Sequence, residues 1–254
     1  MRMKRYITGL AMSFGMFCAI PLPSHPWDDD CMGLVLPFMP VVGLLMGVLW
    51  WGLASLLALS AMHPVLAAAI LAAAPMLLSG FLHLDGYMDT CDALLSRRSL
   101  EDMLRILKDP HTGAFAVIAL ALLVLLQFAA VYAIVDRGRA YAAFAIIPVI
   151  ARCCASLSLL LLGPMPQSGY ANMFKAHAKG AHKAFVLGCA LATTTAAYLW
   201  MGLPGLAAAL ATALGFAAAM AYAYRAFDGA SGDLAGFALV IGELCGLLAW
   251  GAIA

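Results

Sequence analysis

Long apolar stretches separated by short polar connections make up most of the 254-residue chain. Seven stretches, roughly 34–59, 64–82, 113–135, 140–162, 184–201, 203–224 and 234–254, fall within or near the about 17–25 residues a helix needs to cross a bilayer. In lipid each backbone N–H and C=O must be satisfied within its own segment, so runs of this length are read as helices. The pattern predicts an all-α, polytopic membrane protein of about seven transmembrane helices, with 1–254 as a single integral membrane domain. Two connections are long, 83–112 and 163–183, and a Gly/Asp turn at 225–233 joins the last two spans. Ahead of the first span, Arg2, Lys4 and Arg5 precede an apolar run ending near Ile20, with no A-x-A-like cleavage site after it. That run is short for a crossing and is read as a retained interfacial or re-entrant segment. Gly43 and Gly47 form a G-x-x-x-G pair, which suits either close helix packing or an ordinary membrane helix.

Composition strengthens the class: 65% of residues are hydrophobic and 11% charged, against about 45–50% and about 25% in soluble domains. The net charge of +1 implies no nucleic-acid partner. Seven cysteines show no C-x-x-C spacing and lie mostly in apolar runs, where Cys acts as a small hydrophobe. Positive-inside bias sets the orientation. With the N-terminus in the cytoplasm, Lys and Arg at 2, 4, 5, 97, 98, 105, 108, 175, 179, 183 and 225 are cytoplasmic. Arg137 and Arg139 are outside, and Arg152 lies within a span. Both long connections and the 225–233 turn then share the cytoplasmic face of a multi-pass protein of the cell inner membrane.

One connection carries the sharpest chemical signal. In Phe81-Leu-His-Leu-Asp-Gly-Tyr-Met-Asp-Thr-Cys-Asp92, three aspartates stand at i, i+4 and i+7, one face of a helix. Stacked like charges destabilise a helix unless a cation sits among them. A divalent cation held by Asp85, Asp89 and Asp92 is one answer; a solvated helix end meeting Arg97, Arg98 and Arg105 is the other. His83 is either a ligand or an interfacial hydrogen-bonding group. Oxygen donors favour Mg²⁺, with Mn²⁺ as the alternative, over zinc. Further on, 99–108 reads as an amphipathic helix capped by Ser99, with Glu101 and Arg105 as an i,i+4 pair. Asp109-Pro110 ends it.

Arg152 and Glu243 stand within spans, where an ionisable group is a functional candidate and expects a partner. Their depths permit a pair, serving either as a lock between helices or in substrate contact. The turn Asp228-Gly-Ala-Ser-Gly-Asp233 exposes backbone N–H groups that suit phosphate, and its acids suit metal, although inter-helix turns are often rich in Gly and Asp.

These residues resemble a known family. The stretch 80–93, GFLHLDGYMDTCDA, is similar to the G-x-H-L-D-G-x-A-D-T-x-D-G signature of cobalamin synthase, adenosylcobinamide-GDP ribazoletransferase. Ile20-Pro-Leu-Pro23 resembles the family's L-P-x-P, and Phe38-Met-Pro-Val-Val-Gly43 its F-P-L-V-G. Lys108-Asp109 with Gly113 resembles R/K-D-S-R-x-G, and Arg152 falls at a span arginine. Asn172-Met-Phe174 resembles G-N-x-F, and 229–236 resembles G-x-T-G-D-x-x-G-A, with Glu243 downstream. The chain departs from the pattern at Ala19 (usually Arg), Met88 (Ala), Ala93 (Gly), Pro110-His111 (Ser-Arg), Ser168 (Glu) and Ser231 (Thr). His111 lacks the two-pronged phosphate grip of a guanidinium. A partial echo of the CDP-alcohol phosphatidyltransferase motif in 89–97 points to shared chemistry more than to a shared substrate.

The resemblance implies a transferase that joins adenosylcobinamide-GDP and α-ribazole, or its 5′-phosphate, with loss of GMP. It assigns Asp85, Asp89 and Asp92 to metal and catalysis, with Asp228 and Asp233 completing the metal site. It puts His83, Arg97, Arg105, Lys108, Asp109, His111, Arg152, Asn172, Ser231, Gly232 and Glu243 at the substrates. The expected partners are those small molecules and the lipid bilayer, together with a second copy of the chain or other corrinoid-assembly enzymes. Two alternatives stay open: a metal-dependent phosphotransferase for another nucleotide-activated amphiphile, and an ion-coupled transporter. The clustering of charge at one face speaks for surface chemistry over transport.

Overall fold

The computed structural model describes residues 2–21, 27–138 and 141–253, the side chain of Arg2 excepted. Leu22 and Pro23 of the Ile20–Pro23 stretch, Arg139, and the outermost residues of the expected spans at 140 and 254 lie outside the described residues. The chain is helical, with no strand among the described residues. In order come α1 (Arg2–Phe17), a 3₁₀ turn (Asp29–Leu34), α2 (Val35–Ala58), α3 (Pro64–Leu78), α4 (Leu82–Leu95) and α5 (Leu100–Ile106). Then follow α6 (Ala114–Asp136), α7 (Ala143–Leu161), α8 (Gly169–Ala176), α9 (Gly180–Phe227) and α10 (Gly232–Ile253).

Among the described residues, five helical segments are long and apolar enough to cross a membrane, or six if α3 and α4 form one broken span. A straight α9 of 48 residues would run about 72 Å, over twice the roughly 30 Å hydrocarbon core. It does not run straight. Gly202 leaves helical geometry at φ 66°, ψ −151°, and a Cβ on Gly205 would strike the carbonyl of Ala197. The helix therefore breaks into two arms, 180–201 and 203–227, at the boundary between the fifth and sixth expected stretches, and together they form one of the segments long and apolar enough to cross. Leucines on α6 and α9 face outward, Leu122 at 55% and Leu214 at 68% exposure, as a lipid-facing surface does. The protein is a polytopic helical membrane protein.

The expected span at 64–82 breaks after Leu78, and α4 leaves α3 at 90°. Gly80 and Phe81 both adopt left-handed geometry, φ 61° and 62°. The Phe81 N–H donates to the Met76 carbonyl and the Gly80 N–H to that of Leu77, at 3.0 and 3.1 Å. This paired capping closes the orphan carbonyls of α3 and turns the chain. The connection at 83–112 is thus no open loop; α4 and α5 fill most of it.

Glycines set the closest helix contacts. A Cβ on Gly43 would meet Arg152 and the Pro148 carbonyl, and one on Gly47 the Ala145 carbonyl, so the G-x-x-x-G pair seats α2 on α7. Trp50 stacks on Phe144 at 4.5 Å and donates to the Leu71 carbonyl at 2.9 Å, tying α2, α3 and α7 together. The short α1, 16 residues, is amphipathic and lies against α2 and the 3₁₀ turn, burying Met12 and Phe17 while Tyr6 and Ile7 stay exposed. This agrees with a non-spanning N-terminal segment. All seven cysteines are free.

Candidate active site at one end of the bundle

Contacts far apart in sequence gather one end of the bundle. Phe17 stacks on His83 at 6.2 Å, and the Ala19 N–H donates to the Leu78 carbonyl at 2.9 Å. Ala230 and residues 163–165 exchange backbone hydrogen bonds of 2.8 and 2.9 Å. The end of α1, all of α4, the 163–183 connection and the 228–233 turn thus surround one region. Arg137 lies at the opposite end, donating to the Gly251 carbonyl at 2.8 Å.

Asp85, Asp89 and Asp92 lie along α4, and Asp233 opens α10 beside them. Gly86 makes this approach close: a Cβ there would sit 2.9 Å from the Asp233 backbone. The charges of Asp85, Asp233 and Asp92 all act on Asp89. Among the described residues, Asp85, Asp89 and Asp233 have no cationic partner. Asp92 is placed differently. Its carboxylate lies at the N-terminus of α6, accepts the Ala116 N–H at 3.4 Å, and occupies the space a side chain at Gly113 would need. An anion there compensates open N–H groups and the positive end of the helix dipole. Asp228 ends α9 in left-handed geometry and is not among the charges acting on Asp89. No three His, Cys, Asp or Glu groups among the described residues converge as a ready-made metal cage.

The remaining candidates divide by location. Arg97 and Lys108 are exposed beyond α4 and α5. Arg105 pairs with Asp102 at 2.6 Å, not with Glu101 as the sequence suggested, since i,i+3 neighbours meet as readily as i,i+4. Ser99 caps α5 as expected, accepting the Asp102 N–H at 3.2 Å. His111 is exposed and folds onto Asp109, whose Oδ1 accepts the His111 N–H at 3.0 Å and meets its ring at 2.7 Å. These contacts, the backbone one first, hold the Asp109 carboxyl below the usual range. Arg152 and Glu243 form a buried ion pair joining α7 to α10. Asn172 clamps its own loop, donating to the carbonyls of Met165, Pro166 and Ser168. Ser231 is buried and caps α10 through the Leu234 N–H at 3.2 Å, while Gly232 is open.

Between Asp233 and His83 opens a cavity of about 400 Å³ that the sequence did not reveal. Phe17, Met39, Leu159 and Phe174 form its buried walls; Gln167 and Asp233 are exposed. Its walls come from α1, α2, α4, α7, α8 and α10, and no motif spans that set. The advance signals were scattered over separate motifs: His83, Ser168, Phe174, and Gly232 with Asp233.

Comparison with known proteins identifies the family. Residues 9–251 match the family model described as cobalamin-5-phosphate synthase. A Clostridium perfringens adenosylcobinamide-GDP ribazoletransferase is 35% identical over 99% of this chain and 100% of its own length. Its Pseudomonas savastanoi namesake is 36% identical over 94% and 96%, and that of Geotalea daltonii 32% over 94% of each. No solved structure matches. A match over nearly the whole chain, with the aspartate signature on the one end where the distant segments meet, is specific: the chain belongs to the cobalamin-5-phosphate synthase family.

Proposed function

We infer that this chain is an adenosylcobinamide-GDP ribazoletransferase, catalysing the last assembly step of cobalamin synthesis. The observation that carries the reading is full-length membership of a family whose relatives bear that name. The alternatives, another nucleotide-activated amphiphile or an ion-coupled carrier, have no such support. In the reaction the ribose 3′ hydroxyl of α-ribazole attacks the phosphorus carrying the cobinamide arm. A new O–P bond forms, the bond to the GMP oxygen breaks, GMP leaves as the anion, and the hydroxyl proton passes to a base or to water.

The donor set suits a hard divalent cation. Mg²⁺ is commonly held by one or two carboxylates plus substrate phosphates rather than by a protein cage. Asp85, Asp89 and Asp233, with no cationic partner and no three-donor cage among the described residues, fit that mode. They would hold Mg²⁺, which when bound neutralises pyrophosphate oxygens and the departing charge. Asp92 anchors α6 against α4 and keeps the carboxylate face oriented. One carboxylate of this face would also serve as the base for the hydroxyl proton. Arg97 and Lys108, exposed and in no ion pair among the described residues, are candidates to meet phosphate. The active end faces the cytoplasm across the cell inner membrane, where nucleotides are found.

The test uses detergent-purified protein incubated with adenosylcobinamide-GDP and α-ribazole. GMP and a cobalamin product should appear together, be lost on chelation by EDTA, and return with Mg²⁺. Absence of GMP with both substrates and Mg²⁺ present would overturn the reading.

A further inference from the structure

We propose that the cavity beside Asp233 is the acceptor pocket, holding the dimethylbenzimidazole base of α-ribazole and selecting the nucleoside that is joined; the inference rests on the transferase reading above. Three observations carry it. The first is size. About 400 Å³ lies at the small end of ligand sites, roughly 300–1,000 Å³, enough for a nucleoside and too little for a corrin ring with its arms.

The second is the order of polarity with depth. The buried walls are apolar and aromatic, including Phe17, Met39, Leu159 and Phe174, whereas the polar Gln167 and Asp233 are exposed, alongside Leu82 and Tyr170. A nucleoside entering base-first puts its apolar bicycle among the deep walls and its ribose among the polar groups. Guanine, the other base in the reaction, carries hydrogen-bonding groups along its edge that these walls leave unpaired, which disfavours it. The deep wall has one polar exception. His83 is buried and stacked on Phe17, and its Nε2 has no hydrogen-bond partner. The third observation is position. Asp233 belongs both to this cavity and to the carboxylate group around Asp89, so a ribose at the mouth stands next to the phosphoryl chemistry.

Two arms test the proposal. In the first, wild-type protein in detergent is titrated with α-ribazole, adenosine and guanosine, without the second substrate. α-Ribazole should bind at least about tenfold tighter than either purine nucleoside. Equal binding, or preference for guanosine, overturns the proposal. In the second, Phe174→Ala and Leu159→Phe are assayed with each substrate varied in turn. The KM for α-ribazole should rise about tenfold, with kcat and the KM for adenosylcobinamide-GDP within about threefold. A rise confined to adenosylcobinamide-GDP, or shared equally, overturns it. If the variants do not fold, the wild-type titration decides. Tight α-ribazole binding without GMP release would count against the transferase reading alone, and GMP release without nucleoside discrimination against the pocket alone.

Discussion

Asp85, Asp89 and Asp92 are equivalent in the sequence, three acids on one helical face, but the structure gives them different surroundings. Among the described residues Asp85 and Asp89 have no cation beside them and lie near Asp233, whereas Asp92 is engaged at the start of α6. Asp85→Asn or Asp89→Asn should reduce GMP release by at least about a hundredfold at matched membrane protein levels. Activity within about tenfold of wild type, only some 1.4 kcal/mol, would argue against a metal-binding role. Gly113→Ala should act through Asp92, because the new methyl takes the carboxylate's place. Losing a cap costs about 0.5–2 kcal/mol, so detergent melting should show a lowered Tm; an unchanged Tm would mean the carboxylate moves without cost. The spacing of these acids was legible because helical geometry is local. Which acid caps another helix was not, since Gly113 reaches Asp92 only through the packing of α6 on α4.

At the scale of elements, two features set the site: the bend between α3 and α4, and the lock between α7 and α10. Apolar content alone suggested a continuous span through 64–82. Hydropathy does not register the left-handed pair at Gly80 and Phe81. Gly80→Ala forces a Cβ into φ 61°, at about 1–2 kcal/mol, and puts it 3.1 Å from the Ala19 side chain. Both Tm and activity should fall, because the bend aims the carboxylate face. Arg152 and Glu243 were recognisable as costly residues in need of partners, and their pairing agrees with the depths read from the sequence. Removing one partner of a buried pair costs about 3–5 kcal/mol, whereas replacing both by apolar residues is often neutral. Glu243→Leu should therefore melt well below wild type, and Arg152→Met with Glu243→Leu should recover most of the loss. If the double variant also regains GMP release, the pair is a lock; if it is stable but inactive, the pair has a role at the substrate.

For the whole molecule, the two-ended distribution of charge makes a topological prediction. Single cysteines at Arg98→Cys and Ala181→Cys should be labelled by an impermeant reagent from the cytoplasm, and Asp136→Cys from the other side. Labelling of the first two from opposite sides would separate segments that the fold brings together and would remove the basis for a single site. The arms of α9 make the same point about counting: a crossing number depends on whether the chain reverses at Gly202, which stands between two apolar runs.

Taken alone, the sequence determined the membrane class, the approximate crossings, the carboxylate face and the family, because hydropathy, helical period and ordered motifs all act over short stretches of chain. Tertiary structure decided the rest. It turned α4 off the axis of α3, assigned Asp92 to α6, set Asp233 against Gly86, and assembled the cavity from six helices. Such contacts depend on which small residue lets which backbone approach, and that information is shared between segments as far apart as α1 and α10. No window along the chain contains it.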